Sequence, residues 1–242
     1  SAPIRCRGVC STYSFIEEEF SLGHTSSQDA INLKQEEDRF FLASVPYSTF
    51  WGQVKLVGYT MELRPEHMRM ISPKIGINDY DRDILGHKDS LAKALLCDPA
   101  FGFRDGLHDP QKMLLVGFMY CQIEDARQHL ESLWHLVDPN FKNKVARRAV
   151  EDLVRSLIYI SVDQRLKVAL MDPLLPTSTE RYLRECGAGR DAFIEKTLNE
   201  MSGPSLVGYV TKEAFLDVIS VKFARPYLLR DHMRKSCPSV SN

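Results

Sequence analysis

The sequence lacks the features that would assign it at once to a functional class. No apolar run approaches the roughly 20 residues needed to cross a bilayer, so a transmembrane helix is not expected. The 31 Lys and Arg nearly balance the 32 Asp and Glu, which gives no electrostatic reason to expect nucleic acid or a membrane as the main partner. The first residues contain no continuous apolar segment of the kind found in secretory signals.

The six cysteines are scattered, and no two of them form a CxxC pair. Cys6 and Cys10 lie four residues apart near His24, but a zinc site of this kind needs a second pair of ligands. Because no secretory signal is visible, reduced thiols are the expectation. We therefore expect an intracellular protein without a disulfide framework.

Motifs of catalysis are missing as well. The chain has neither a G-x-S-x-G turn nor an H-E-x-x-H helix, and GAGR at 187–190 is too short for a phosphate-binding loop. His129 and His135 fall in a helical pattern, where a helix-face position is the simpler interpretation. We expect a protein that is not an enzyme, with no catalytic residue, no cofactor and no small-molecule substrate. An enzyme whose site has no local motif stays open.

Three regions differ in their local pattern. Residues 1–75 indicate an extended N-terminal arm, in which VKLVGYTMEL at 54–63 favours a strand or a segment lying on another surface, and Pro65 suits the start of a short helix. Residues 76–110 form a turn-rich connecting segment with a short helix at DSLAKALL. Residues 111–236 begin within an apolar stretch of helical length and carry the remaining helical patterns, which predicts a mainly α protein.

The third region contains two helix–loop–helix patterns. In the first, apolar residues recur three, four and seven positions apart on both sides of a loop that begins DPN. The second is FIEKTLNEMSGPSLVGYVTKEAFLDVI, residues 193–219. Between them, MDPLLPTSTERYLRECGAG at 171–189 is interpreted as an insertion.

This pair of patterns resembles the EF-hand superfamily, over about residues 110–220. A calcium-binding loop of that family takes oxygen ligands at positions 1, 3, 5, 9 and 12, with a bidentate Glu at 12. Counting from Asp138 places Asn140 third and Lys142 fifth, and Ala146 and Ala149 at positions 9 and 12 supply no oxygen. Two oxygen side chains are too few for a cation that takes six to eight ligands, so this loop is not expected to bind calcium.

The second loop is equally poor in ligands. Gly208 takes position 6 and Val210 position 8, but Gly203, Ser205 and Val207 at positions 1, 3 and 5 include no carboxylate. The scaffold positions are nevertheless present in both loops. Asn143, at position 6 of the first, tolerates the positive φ that Gly208 tolerates in the second. The resemblance therefore implies a degenerate EF-hand pair.

The resemblance also implies contacts between the two units. Val145 and Val210, at position 8 of each loop, are expected to pair through a short two-stranded ladder. An open EF-hand pair presents an apolar groove that receives a partner helix. The residues expected to form this groove or the core are Leu133, Trp134, Val137, Leu153, Leu157, Phe193, Leu198 and Phe215.

One cluster keeps calcium-like spacing outside these loops. Asp79, Asp81 and Asp83 form a D-x-D-x-D run, but the rest of the loop template is missing around them, and a solvated acidic turn is the simpler interpretation. The cluster supports an alternative function, a calcium-responsive regulator that binds through these residues or through a site completed by a partner.

The basic C-terminal segment KFARPYLLRDHMRKSC, 222–237, has two interpretations that stay open. Its cations and aromatics favour either an acidic partner or a docked terminal helix with a solvated basic face. Taken together, the sequence predicts a non-catalytic interaction or scaffold protein whose partners are other proteins, bound as a helix or as an assembly surface. By resemblance to calcium-independent EF-hand proteins, we expect it in the cytoplasm, in a cytoskeletal or ciliary assembly.

Overall fold

A computed structural model describes residues 28–58, 62–86, 91–171, 177–202 and 208–236. The mainly α prediction is confirmed. No helix within these ranges is both long and apolar enough to cross a membrane.

The α-helices follow one another through the whole described chain, with two short β-ladders between them. The helices are α1 Gln28–Asp38, α2 Tyr47–Gly58, α3 Pro65–Ile71, α4 Leu91–Leu96, α5 Pro110–Tyr120, α6 Ala126–Val137, α7 Arg147–Ile158, α8 Gln164–Met171, α9 Thr177–Ala188, α10 Arg190–Met201, α11 Lys212–Lys222 and α12 Pro226–Lys235. The strands are β1 Phe103–Arg104, β2 Leu107–His108, β3 Lys144–Ala146 and β4 Tyr209–Thr211; β1 pairs with β2 and β3 with β4, both antiparallel.

Shorter helical turns join several of these elements. Turns of 3₁₀-helix occur at Phe41–Ser44, Ser72–Ile75 and Pro99–Phe101, and π-helical turns at Asp81–Leu85 and Tyr159–Asp163. The second π-turn connects α7 directly to α8, so that the three form one continuous helical segment.

Local sequence explains where the central helices begin. Asp109 accepts hydrogen bonds from the backbone N–H groups of Gln111 and Lys112, and Pro110 takes the first helical position of α5. Asp125 caps α6 in the same way through Gln128. Pro65 begins α3, which confirms the short helix expected there.

The possible strand at 54–63 is wrong for residues 54–58, which belong to α2; residues 59–61 lie outside the described ranges. The aromatic and β-branched side chains of α2 pack into the core instead: Phe50 and Val54 are fully buried, and α2 packs along α5. Tertiary burial has overridden local β-propensity. More generally, residues 28–75 are mostly helical rather than extended, and residues 1–27, with Cys6, Cys10 and His24, are not described.

The core does not follow the three predicted regions. One large apolar cluster runs from Ala30 in α1 to Met233 in α12, and a small second cluster contains Ala224, Tyr227 and Leu228. Helix α1 packs against α9 and α12, so that the first described helix is joined to the last. The predicted insertion at 171–189 contains α9, whose Tyr182, Leu183 and Cys186 are buried in this core.

Candidate functional site: the paired helix–loop–helix units

The two loops are joined by the β3–β4 ladder. Val145 faces Val210 at its centre, flanked by the pairs Lys144–Thr211 and Ala146–Tyr209. Two further backbone hydrogen bonds extend the ladder, from Arg147 N to the Gly208 carbonyl and from Lys212 N to the Asn143 carbonyl. Both valine side chains are buried, so the ladder is closed on its inner face by apolar packing.

The first loop is held closed by its own residues. Both carboxylate oxygens of the buried Asp138 accept backbone hydrogen bonds, from Lys142 N at 2.9 Å and from Asn143 N at 2.8 Å. Burial opposes the ionisation of Asp138, but these hydrogen bonds outweigh it and hold the pKa of Asp138 below its usual range. The turn also needs two left-handed residues, Phe141 at φ 54° and Asn143 at φ 56°.

The second loop is described only at its end. Gly208 has φ 88°, the conformation that glycine adopts without steric cost, and Thr211 then caps α11 by accepting a hydrogen bond from Ala214 N. Gly203, Ser205 and Val207 lie outside the described ranges.

The four helices of the two units pack crosswise. Helix α6 lies against α11, where the rings of Trp134 and Phe215 are 5.1 Å apart, and α7 lies against α10. Phe193 of α10 contacts Phe223 just beyond α11, with ring centroids 5.6 Å apart. Each unit therefore contributes one helix to each contact with the other, and neither unit can bury its apolar stripe alone.

The expected partner groove is filled by the chain itself. Helix α5 packs against α6 and α7, and α12 packs against α10 and α11. Of the residues predicted for the groove or core, Val137 is partly buried and the others are buried: Leu133, Trp134, Leu153, Leu157, Phe193, Leu198 and Phe215. They are core residues, and a partner helix would have to displace α5 or α12 to reach them.

The Asp79, Asp81 and Asp83 run does not converge on one point. Asp81 accepts two hydrogen bonds from the Arg69 guanidinium, which lowers the pKa of Asp81. Asp83 pairs with Arg82, and the Asp79 carboxylate caps the turn through Arg82 N. Among the described residues, no group of three or more His, Cys, Asp or Glu side chains is placed to hold a metal ion.

A cleft of about 340 Å³ lies between α2 and α6. Its lining includes Trp51, Lys55, Glu124 and His129. Burial lowers the pKa of His129 to about 3, so this imidazole is neutral near pH 7 and is poorly matched to proton transfer there. The Glu124 carboxylate accepts a hydrogen bond from Ser48. The cleft therefore gathers several titratable groups, of which His129 is kept neutral by its burial.

Two polar clusters, each centred on a buried charged side chain, are not predicted by the sequence pattern. Asp98 accepts hydrogen bonds from the Tyr159 hydroxyl at 2.7 Å and from the Lys167 ammonium at 2.9 Å, and it links the π-turn to the end of α4. Arg230 of the basic C-terminal segment points inward to Glu37. Neither cluster has a local signal, because the partners are 61 and 193 residues apart in sequence.

The described part of the basic C-terminal segment forms a docked terminal helix. Four residues of α12 are buried: Tyr227, Leu228, Arg230 and Met233.

Comparison of the chain with protein-family models, with curated proteins and with solved structures gives no match.

Proposed function

We propose that this protein is a non-catalytic scaffold whose EF-hand-like pair works as a permanent structural unit without calcium. The observation that carries the proposal is the way Asp138 is bonded within the first loop. The residue at the first ligand position of the loop closes the turn with two backbone hydrogen bonds, while Lys142, Ala146 and Ala149 offer no oxygen around it. A calcium loop of this family brings oxygen ligands from five side-chain positions around the cation, and this loop offers a side-chain oxygen at only two of them, Asp138 and Asn140.

The filled groove supports the same function and refines the expected mode of binding. Because α5 and α12 cover the apolar side of the pair, a partner helix cannot enter without displacing part of the core. We therefore favour binding through the outer surface of a fixed unit, as in a subunit of an assembly. A cytoplasmic place in a cytoskeletal or ciliary structure belongs to this proposal.

The alternative is a calcium-responsive regulator that binds through Asp79, Asp81 and Asp83 or through a site completed by a partner. Calcium binding by the Asp79, Asp81 and Asp83 run has little support in the geometry, since Asp81 is paired with Arg69 and Asp83 with Arg82. Chelator-stripped protein titrated with calcium in a calorimeter, with magnesium as the control, separates the two functions. Heat at about micromolar affinity would overturn the calcium-independent scaffold, and no heat up to about millimolar calcium supports it.

A variant with calcium ligands restored to the first loop serves as a positive control for the calcium titration. The double variant Lys142→Asp/Ala149→Glu supplies, with Asp138, Asn140 and the Lys144 carbonyl, about six oxygens in the order that calcium loops use. We expect this variant to bind calcium in the range of about 10⁻⁴ to 10⁻³ M. The control Ala149→Gln, which adds a side chain of similar size without charge, should not bind. Failure of the rebuilt loop would argue that the likeness to the EF-hand does not extend to the loop backbone.

A further inference from the structure

The outer end of the β3–β4 ladder carries aromatic side chains that contribute little to the core. Phe141 is 70% exposed and Tyr209 is 51% exposed, although most large apolar side chains of the described chain are buried. Lys144 lies beside Tyr209, with its ammonium 5.8 Å from the Tyr209 ring, and the ring of His135 lies 5.2 Å from that of Phe141. We call Phe141, Lys142, Lys144, Arg148 and Tyr209 the ladder patch.

The ladder patch is positively charged. Lys142, Lys144 and Arg148 are exposed, and none of the three makes an ion pair with a described residue. No acidic residue occurs between Asp138 and Glu151, and Asp138 is buried. Arg147 does not add to the patch, because its guanidinium pairs with Glu195 at 3.1 Å and with Asn199. The patch therefore combines two exposed aromatic rings with three cations that have no ion-pair partner among the described residues.

Phe141 occupies this position at a cost to the fold. Its φ of 54° is a conformation that bulky residues rarely adopt, and its exposed ring gains little burial in return. Asn or Gly would satisfy the same turn without strain. A strained residue that contributes little to packing points to a role at the surface.

We infer that the ladder patch binds an acidic polypeptide segment of a partner protein, whose carboxylates meet Lys142, Lys144 and Arg148 and whose chain lies on Phe141 and Tyr209. Opposite charge recommends this occupant. Nucleic acid fits less well, because duplex binding proteins typically neutralise several more phosphates than three cations can, and the chain as a whole carries a net charge of −1. The inference rests on the proposed scaffold function and names the chemistry of its partner.

The test uses a capped hexaglutamate peptide, followed by the backbone amide resonances of the ¹⁵N-labelled full chain. We expect saturable shifts centred on residues 141–148 and 209–211, with a dissociation constant of about 0.1 to 1 mM. Binding should weaken several-fold between about 0.05 and 0.2 M salt, since the contacts are exposed ion pairs. Capped hexaglutamine should produce no saturable shift.

Matched variants identify the surface. Lys144→Glu should weaken hexaglutamate binding at least about fivefold, since it removes one attraction and adds a repulsion. Lys74→Glu makes the same charge change on the Ser72–Ile75 turn, which packs on α2 and α3, and should change the affinity less than about twofold. Phe141→Tyr should keep the affinity. Phe141→Asn should lower it while the melting temperature stays the same or rises, which shows that a loss of binding is not a loss of fold.

Three results would overturn the inference. They are no saturable shift with hexaglutamate, an equal loss in Lys144→Glu and Lys74→Glu, or tighter binding of an oligothymidylate of equal charge, which would make the patch a nucleic-acid surface. Calcium calorimetry is independent of all three, so a failed ladder patch leaves the calcium-independent scaffold standing. Conversely, a calcium-binding chain can still bind the peptide.

Discussion

The carboxylate of Glu37 and the guanidinium of Arg230 form a two-point ion pair in the core, with Nη1–Oε1 and Nη2–Oε2 distances of 2.7 and 2.9 Å. Arg230 is fully buried and Glu37 is 5% exposed. Burial opposes the charge of Arg230, but the facing carboxylate raises the pKa of Arg230 above its usual value. Arg230 also donates to the Ser161 carbonyl of the π-turn, so α1, α12 and that turn meet at one guanidinium.

Removing one partner of this pair should be costly. Glu37→Gln leaves a buried cation without its counter-charge, and we expect a loss of about 3–5 kcal/mol of unfolding free energy in a urea titration. Asp38→Asn on the same helix breaks the exposed Lys34–Asp38 pair and should cost less than about 0.5 kcal/mol. Equal costs for the two variants would show that Glu37 and Arg230 are not paired in the folded protein.

The buried histidines should make the protein less stable in mild acid. Burial lowers the pKa of His129 from 6.5 to about 3 and that of His108 to about 4. The unfolded chain therefore takes up these protons first as the pH falls. The contribution of these two histidines to the free energy of unfolding is fully present above about pH 6.5. Below that pH it falls by about 1.4 kcal/mol per pH unit for each histidine.

The variant His129→Phe tests this attribution. His129 stacks on Phe118 with ring centroids 4.1 Å apart, so a phenyl ring fits the same position and cannot take up a proton. Urea titrations at about pH 6.5 and pH 5 should show that the variant loses about 2 kcal/mol less than the wild type over this interval. An unchanged pH dependence would mean that His129 is protonated or exposed in the folded chain.

Asp138 should behave as a structural residue of the first loop. Asp138→Ala leaves the N–H groups of Lys142 and Asn143 without their acceptor, and we expect a cost of about 2–4 kcal/mol by thermal or urea unfolding in calcium-free buffer. Asn140→Ala, at the exposed third position of the same loop, should stay within about 0.5 kcal/mol of the wild type. A large cost that appears only when calcium is present would instead indicate a metal ligand.

Two helical glycines should respond in opposite directions to the same substitution. A Cβ on Gly117 of α5 would overlap the Phe50 ring, so Gly117→Ala should cost about 1–3 kcal/mol, although alanine favours helices. Gly52 of α2 has open space around it, and Gly52→Ala should stabilise the protein by about 0.5–1 kcal/mol. Chemical denaturation of the two variants tests the contact between α2 and α5, and stabilisation by both would place these helices further apart.

The local sequence pattern was sufficient to predict those parts of the site whose structure depends on residues close together in the chain. The apolar spacing of residues 130–137 and 150–158 predicts two amphipathic helices, and α6 and α7 form there. The residue types of Asn143 and Gly208 predict that these positions tolerate a positive φ, and both adopt it. The shortage of side-chain oxygens in the two loop sequences is also a property of the residue types, which folding does not change.

Pattern was insufficient where a long-range contact decides the outcome. Residues 47–58 carry Tyr, Phe, Trp and Val, which favour a strand locally, yet the burial of Phe50 against the small surface of Gly117 makes them a helix. The ion pair of Glu37 with Arg230 has no local trace, because single charged residues look the same whether they face water or the core.

The sequence by itself determined that this chain is helical, that two of its segments resemble EF-hand loops in pattern, and that these segments offer few side-chain oxygens for calcium, since each of these properties depends on residue types a few positions apart. Only the tertiary structure decided that Val145 meets Val210, that α5 and α12 fill the expected groove, and that Phe141 and its neighbouring cations are left on the outside. These outcomes depend on which surfaces bury one another across the whole chain, and that balance of apolar area and charge is set only when distant segments come together.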